Sequence, residues 1–161
     1  MDLSSACLCG SGHEYQQCCK PFHIGKKLPA TALALMRSRY VAYVLRDVTY
    51  LQGTWEVTKR PAVIDFSREN ITWLRLEIVE TKKGGPTDNK GIVTFKAFYL
   101  ENGNECVMNE ISRFMKTNGR WFYLDGFIKS MGAINIQTNL GKNAACTCGS
   151  GKKFKRCCGA D

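Results

Sequence analysis

The sequence is poor in histidine: it has only His13 and His23, and none between residues 31 and 140. A general base or an activated nucleophile in that middle stretch would therefore have to work without an imidazole. No apolar run approaches the roughly 20 residues that cross a bilayer, which predicts a soluble protein. The first residues also lack the charged and apolar segments of a secretory signal, so no export of this chain is expected.

Cysteine is abundant instead, with nine residues. Two segments share one pattern: Cys-x-Cys-Gly-Ser-Gly, two polar residues, an aromatic residue, two polar residues and a pair of adjacent cysteines. Four thiolates within thirteen residues suit a closed tetrahedral zinc site, and a metal replaces the core that so short a loop cannot build. The predicted ligands of two zinc ions are Cys7, Cys9, Cys18, Cys19, Cys146, Cys148, Cys157 and Cys158.

Disulfide bonds are the alternative for these cysteines. Bridges within Cys7–Cys9 or Cys18–Cys19 would form strained rings, although pairing across the turn stays geometrically open. The clustering in two short repeats, the absence of a secretory signal and the unpaired ninth residue, Cys106, all favour metal over disulfides. Reduced, metal-bound cysteines indicate a cytoplasmic location.

The charge of the chain is basic, with 23 Lys and Arg against 14 Asp and Glu, or a formal net charge of +9. A zinc ion with four thiolates carries about −2, so filled sites make the chain less basic. The balance favours an acidic partner such as RNA, the ribosome, an anionic lipid or an acidic protein. The cations of the second cysteine segment are Lys152, Lys153, Lys155 and Arg156, where the first segment has His13, Glu14, Gln16 and Gln17.

The pattern from residue 31 predicts a helix that Thr31 caps, with apolar residues at steps of three and four. Short helices are predicted near residues 47–53 and 61–68. From Ile71 the period becomes two and predicts a strand through Val79, followed by strands at 91–100, 105–116 and 121–127. The Asn-Gly pairs between these strands indicate hairpins.

These elements predict an α+β fold in which an N-terminal helix packs on a curved antiparallel sheet. Two short four-cysteine modules flank it. The predicted domains are residues 1–28, 29–140 and 141–161. His13 and His23 are interpreted as solvated, and Arg37, Arg39 and Arg46 as ordinary solvated arginines on the helix.

The acids of the middle domain decide whether an enzyme is plausible. The candidates are Asp65, Glu77, Glu110 and Asp125. Glu110 shares one strand face with Ser112 and Phe114, and we interpret it as the ion-pair partner of Arg37 or Arg39. The residues predicted to line a pocket are Tyr40, Tyr43, Glu110, Ser112 and Phe114. Cys106 is expected to be a small buried residue.

The cysteine repeat is similar to the SEC-C motif, first recognised in the preprotein translocase ATPase SecA. Residues 31–43, 50–55, 110–114 and 119–126 resemble the YchJ family of bacterial SEC-C proteins. The resemblance implies a cone-shaped middle domain like that of nuclear transport factor 2. It also implies zinc, with iron as an alternative occupant, and a partner such as the chaperone SecB or the ribosome.

The function expected from these features is that of a non-catalytic, metal-stabilised interaction protein whose C-terminal module binds an acidic protein surface. RNA is the weaker candidate as partner. The alternative is an enzyme or carrier for a small apolar ligand in the cone pocket. A third hypothesis, a metal store or redox sensor, is weaker still.

Overall fold

The computed structural model of this protein describes residues 6–134 and 150–156. The described residues form three α-helices, four β-strands and one turn of 3-10 helix at Phe154–Arg156. The helices are α1 (Lys20–His23), α2 (Ala32–Leu45) and α3 (Val48–Gly53), and the strands are β1 (Ile71–Lys83), β2 (Lys90–Glu101), β3 (Asn104–Thr117) and β4 (Arg120–Ala133).

The two predicted helices at residues 31–53 are confirmed, as is the predicted cap at Thr31, and the structure adds a cap at Asp47. Thr31 Oγ1 accepts a hydrogen bond from the Ala34 amide at 3.0 Å and begins α2. Asp47 does the same for the Tyr50 amide at 2.9 Å and begins α3. The helix predicted near residues 61–68 is wrong, because this segment is a loop. Its apolar patch has no surface to pack on, as the 72% exposure of Val63 shows, so nothing stabilises a helix there.

The four strands form one antiparallel sheet in the order β1-β2-β3-β4. Asn102-Gly103 and Asn118-Gly119 join neighbouring strands, and all four residues have the positive φ of a two-residue hairpin turn. Strand β4 extends beyond the predicted residue 127, because its pairing with β3 continues to the pair Cys106–Ala133. The exposed residues at the end of β4 are held by their pairing with β3. The alternation of apolar and polar residues along the sequence does not reveal this pairing.

Strand β1 departs from the strict alternation that its sequence predicts. Its register with β2 shifts between Trp73 and Arg75. As a result Trp73 pairs with Tyr99 and Leu76 pairs with Ala97, which places Trp73 and Leu76 on one face although they are three residues apart. The shift turns the Trp73 side chain towards the helix layer.

Close backbone contacts hold helix α2 against the sheet. The Ala32 amide donates to Gly84 O at 2.9 Å, and Trp121 Nε1 donates to Ala30 O at 3.1 Å. A Cβ on Gly84 would lie 2.7 Å from Ala32 Cβ, so a side chain there would push the helix away. These contacts fix the spacing between the helix and the sheet, and hence the space left between them.

The core lies between α2 and the sheet. Its fully buried large side chains include Leu35, Val41, Phe114 and Trp121. The prediction for Cys106 is confirmed, since it is 3% exposed. Among the described residues, no helix combines the length and the hydrophobicity that a membrane crossing requires.

Candidate functional site

The four cysteines of the N-terminal module converge on one point. Their sulfur atoms all lie within 4.8 Å of one another, and none of these cysteines is in a disulfide. The Cys9–Cys18 and Cys18–Cys19 sulfur pairs are 3.5 and 3.9 Å apart. A tetrahedral zinc with Zn–S bonds of about 2.3 Å sets its sulfurs about 3.8 Å apart. The residues therefore fit a tetrahedral thiolate-bound metal, and Cys7 completes the set.

A tight turn brings the two ends of this module together. Gly10 and Gly12 adopt φ values of +74° and +81°, which a residue with a side chain rarely takes. The Cys7 amide donates to His13 O at 2.7 Å and closes the turn. Tyr15, the aromatic residue of the repeat, is only 7% exposed and belongs to one buried cluster with Cys7, Cys9 and Cys19.

The thiols influence one another strongly. The pKa of Cys9 is lowered because the thiols of Cys19 and Cys7 donate hydrogen bonds to its sulfur. The pKa of Cys19 is raised because its proton is held by Cys7 and Cys9 and because it is buried. The Cys9 thiolate is thus favoured and the Cys19 thiolate is not, so a bound cation would be needed for these two sulfurs to ionise together.

Arg37 attaches the module to helix α2. Its Nη1 donates a hydrogen bond to Cys9 O. The neighbouring Gly10 lies so close to β1 that an added Cβ would be 3.0 Å from Leu76 O and 3.4 Å from Arg37 Nη1. The N-terminal module therefore contacts the middle domain through the backbone of Cys9 and Gly10.

His23 makes the second attachment. Its Nε2 donates to Ser38 O on α2 at 2.8 Å, so Nδ1 is the acceptor for the Tyr15 hydroxyl at 3.0 Å. Burial lowers the pKa of His23, which keeps the ring neutral. The interpretation of His23 as a solvated linker residue is wrong, because α1 folds back and places the ring edge-on against Tyr50. His13 is exposed, as expected.

The C-terminal cysteines Cys146, Cys148, Cys157 and Cys158 lie outside the described residues. The turn between them, residues 150–156, repeats the geometry of the first module. Gly151 has φ +72°, matching Gly12. Two hydrogen bonds also recur: Lys152 N to Ser150 Oγ matches His13 N to Ser11 Oγ, and Arg156 N to Lys153 O matches Gln17 N to Glu14 O. The predicted partner-binding residues on this turn, Lys152, Lys153, Lys155 and Arg156, are all exposed.

A cavity of about 270 Å³ lies between α2 and the sheet. Helix α2 contributes residues three and four positions apart, and β3 contributes alternate residues, so each element presents one face. The lining residues are Met36, Arg39, Tyr40, Tyr43, Glu69, Ile71, Trp73, Phe95, Ala97, Met108, Glu110, Ser112, Tyr123, Ile128 and Met131. Of the five residues predicted to line a pocket, only Phe114 is not in this wall; it is buried in the core beside Tyr123.

Glu110 is held in the cavity wall by neutral donors. Ser112 Oγ donates to its Oε1 at 2.6 Å and the Tyr123 hydroxyl at 3.3 Å. The carboxylate fits because Gly126 has no side chain: a Cβ there would lie 2.1 Å from Oε1. Within the described residues, none of the ion pairs involves Glu110. The predicted ion pair with Arg37 or Arg39 is therefore wrong.

Arg39 uses its guanidinium elsewhere. Its Nη1 donates to Leu51 O and to Thr54 Oγ1, both at 2.7 Å, and the group lies 5.0 and 4.5 Å from the ring centres of Trp55 and Tyr123. Arg39 is only 2% exposed, so its interpretation as solvated is wrong. Burial lowers the pKa of its side chain. The sequence did contain a signal for this burial, because Arg39 follows Met36 by three residues and so lies on the apolar face of α2.

The other predicted acid candidates do not reach the cavity. Asp65 is exposed and accepts from the Ser67 amide. Glu77 is exposed and lies 3.9 Å from the Lys96 ammonium. Asp125 pairs with both sides of the Arg113 guanidinium, which lowers the pKa of its carboxyl group.

Sequence reasoning missed one acid of the cavity wall, Glu69. Its side chain is half-buried, and burial raises the pKa of its carboxyl group. It precedes β1 by two residues, where no periodic pattern assigns it to a face.

The fold and the cysteine cluster define a class: a cone-type α+β domain that carries SEC-C motifs. Residues 31–126 match the family model described as the YchJ middle NTF2-like domain, and residues 143–160 match that of the SEC-C motif. The chain belongs to this YchJ family, and the relatives described next carry the name UPF0225.

The relatives match along the whole chain. A UPF0225 protein of Serratia proteamaculans is 42% identical, with 98% of this chain and 99% of the relative covered. One of Geobacter sulfurreducens is 39% identical, with 98% and 100% covered.

Two solved structures show the same fold. A SEC-C motif containing protein of Rhodopseudomonas palustris, solved in solution, has a TM-score of 0.68 at 33% identity and covers 76% of this chain and 98% of its own. A sec-c motif containing protein of Psychrobacter arcticus, solved by crystallography, has a TM-score of 0.64 at 28% identity and covers 99% and 98%.

Proposed function

We propose that this protein is a non-catalytic interaction protein whose C-terminal SEC-C module binds an acidic protein surface. The observation that carries the proposal is the run of four exposed cations within five positions, Lys152, Lys153, Lys155 and Arg156. They lie on a turn that is equivalent to the turn of the N-terminal module, which brings four sulfur atoms close together. A metal that fixes the turn holds the cations in one arrangement, which lowers the entropic cost of binding.

The two modules differ where they would contact a partner. The N-terminal copy replaces the four cations with His13, Glu14, Gln16 and Gln17, and it is seated on α2 and β1 through Cys9 and Gly10. We propose that the first copy stabilises the middle domain and that the second one docks. In this proposal residues 1–28, 29–140 and 141–161 are the units, and zinc, or iron in its place, fills both cysteine sites.

The resemblance to SecA suggests which acidic partners to test first. These are the export chaperone SecB and the ribosome, and the first step is to measure binding of metal-loaded protein to each in purified form. Reversing all four cations of the second module to glutamate should weaken binding at least 30-fold. Four exposed ion pairs at about 0.5 kcal/mol each give about 2 kcal/mol, before any repulsion is added.

Two matched variants distinguish an effect of the cations of the second module from an effect of net charge alone. Reversal of the exposed Lys26, Lys27, Lys59 and Lys90 changes the net charge equally and should weaken binding much less. Giving the second module the residues of the first should abolish binding while its metal is retained. If both quadruple reversals weaken binding equally, or if neither does, the second module is not the docking site. Loss of ribosome binding after digestion of exposed RNA would assign the surface to RNA instead.

A further inference from the structure

A groove of about 630 Å³ lies on the face of the sheet opposite to α2. Its central residue is Ile92, which alternates along β2 with the buried core residue Val93 and therefore faces away from the helix. Met115 and Leu124 extend the apolar floor onto β3 and β4. All three floor side chains are partly exposed. The volume falls within the roughly 300–1,000 Å³ of small-molecule pockets.

Cations flank this apolar floor. Lys82 on β1 and Arg113 on β3 are the cross-strand partners of Ile92. Lys90 precedes Ile92 by two residues on β2. Residues that pair across strands, or that lie two apart along one strand, share a face of the sheet. The Ile92 side chain therefore has a cation on three sides, and all three cations are exposed.

Two of these cations are balanced by acids. The Arg113 guanidinium donates two hydrogen bonds to the Asp125 carboxylate, which neutralises the side of the groove towards β4. The Lys82 ammonium lies 3.5 Å from the Glu80 carboxylate. The apolar floor near Leu124 is thus close to an ion pair without excess charge.

The excess positive charge lies at the β1–β2 end. Lys83 and Lys90 both line the groove there, and neither has an ion-pair partner in the part of the chain that the structure describes. From Ile92 on β2 to Leu124 on β4, the floor crosses two strand spacings, or about 10 Å. An extended chain of about eight carbons, with C–C bonds of about 1.5 Å, has a similar length. The groove thus has a cationic end and an apolar floor of matching size for an amphipathic anion.

We propose that this groove binds a medium-chain fatty acid, with the carboxylate at Lys83 and Lys90 and the alkyl chain over Ile92, Met115 and Leu124. The lysines attract the anionic head group, and burial of the chain contributes the hydrophobic part of the affinity. The site shares no residue with the basic module of the proposed function. The partner experiments above and the ligand experiments below therefore fail or succeed independently.

The probe is octanoate, titrated into the metal-loaded, isotope-labelled full chain and followed by amide chemical shifts in NMR spectra. The shifts should saturate and should include the amides of residues 82–92, 113–115 and 124. Octanol, which lacks the charge, should bind about tenfold more weakly, the combined effect of a few exposed ion pairs. Butanoate should bind at least tenfold more weakly, because it has four fewer methylene groups to bury. The cation octyltrimethylammonium should bind more weakly than octanol.

A pair of double variants tests the head-group end. Lys83→Gln with Lys90→Gln should weaken octanoate about fivefold and leave octanol unchanged. Lys96→Gln with Lys129→Gln removes the same charge at positions that do not line the groove. Lys96 lies on the same strand and face as Lys90, so it is a close match. At physiological salt, where distant charges are screened, this control should change the octanoate affinity less than twofold.

A pair of single variants tests the floor. Ile92→Thr should weaken octanoate about fivefold and butanoate much less, because the shorter chain covers less of the floor. Ile111→Thr is the matched control. Ile111 is also partly exposed and lies on the same face, where it pairs with Thr94, but it does not line the groove. Circular dichroism checks that both variants keep the fold.

Three results would overturn the proposal. The first is the absence of a saturable shift with octanoate at millimolar concentration. The second is equal affinity of octanoate and octanol, or of octanoate and butanoate. The third is an equal effect of either groove variant and its matched control, which would assign the binding to the net charge or the general surface of the chain.

Discussion

The contact between the N-terminal cysteine module and the middle domain can be tested by substituting two glycines, Gly10 and Gly12. The two positions differ in which atoms surround them. Gly10 and Gly12 both have positive φ, so an alanine costs about 1 kcal/mol of backbone strain at either position. At Gly12 nothing lies within 4 Å of the added Cβ. At Gly10 the Cβ meets Leu76 O at 3.0 Å and Arg37 Nη1 at 3.4 Å, so the module must move off β1.

The expected magnitudes differ by more than an order of magnitude. Gly10→Ala should lose the hydrogen bond from Arg37 to Cys9 O as well, which as a bond from a charged donor is worth about 1.5–3 kcal/mol. Folding of a short metal module is coupled to metal binding, so lost stability raises the apparent zinc dissociation constant. We expect about a fivefold rise for Gly12→Ala and about 100-fold or more for Gly10→Ala.

The assay is zinc competition with a chromophoric chelator under reducing conditions. It uses a chain in which Cys157 and Cys158 are serine, so that only the N-terminal site is measured. Circular dichroism of the middle domain serves as a check that the fold is intact. Equal rises for the two alanine variants would refute the reasoning, because the contact with β1 and Arg37 would then contribute nothing to the site.

Three further predictions concern metal content, stability and pH. Cys9→Ser should remove one metal ion per chain in elemental analysis, whereas Cys106→Ser, equally buried but outside the cluster, should remove none. Arg39→Met should lower the free energy of unfolding in urea by about 2 kcal/mol, since two buried hydrogen bonds are lost and relief of desolvation offsets only part of them. Burial lowers the pKa of His23 below 6.5, so as pH falls the unfolded state takes up a proton first and stability is lost below about pH 6.5. The wild type and His13→Gln should therefore lose more stability in urea between about pH 7.5 and 5.5 than His23→Gln, and equal losses would contradict the buried neutral ring.

Local signals predicted the elements of the fold well. Thr31 and Asp47 cap their helices through contacts three residues away, and the Asn-Gly pairs set two hairpins through their own backbone preferences. The helix predicted at residues 61–68 failed for the opposite reason. Its short apolar patch is a helical signal only if another element covers it, and none does.

The candidate sites divide in the same way. The thirteen-residue spacing of the first cysteine set was sufficient to bring four sulfurs together, because the turn that joins them is local. The roles of Arg39 and His23 were not predictable from spacing. Neither polar residue stands in a recognisable motif. Each is buried by contacts with residues 12 or more positions away, and the sequence pattern does not show that these segments pack together.

The sequence by itself determined the four-cysteine cluster of the first module, the helices near the start of the middle domain and the hairpins of the sheet, since each depends on contacts between residues close along the chain. Only the tertiary structure decided what lies between α2 and the sheet. Tyr40, Trp73, Glu110 and Gly126 come from four different elements. The first three line one cavity and Gly126 leaves room for the Glu110 carboxylate, because the shift in β1, the close contact at Gly84 and the pairing of β3 with β4 set the spacing and direction of each side chain.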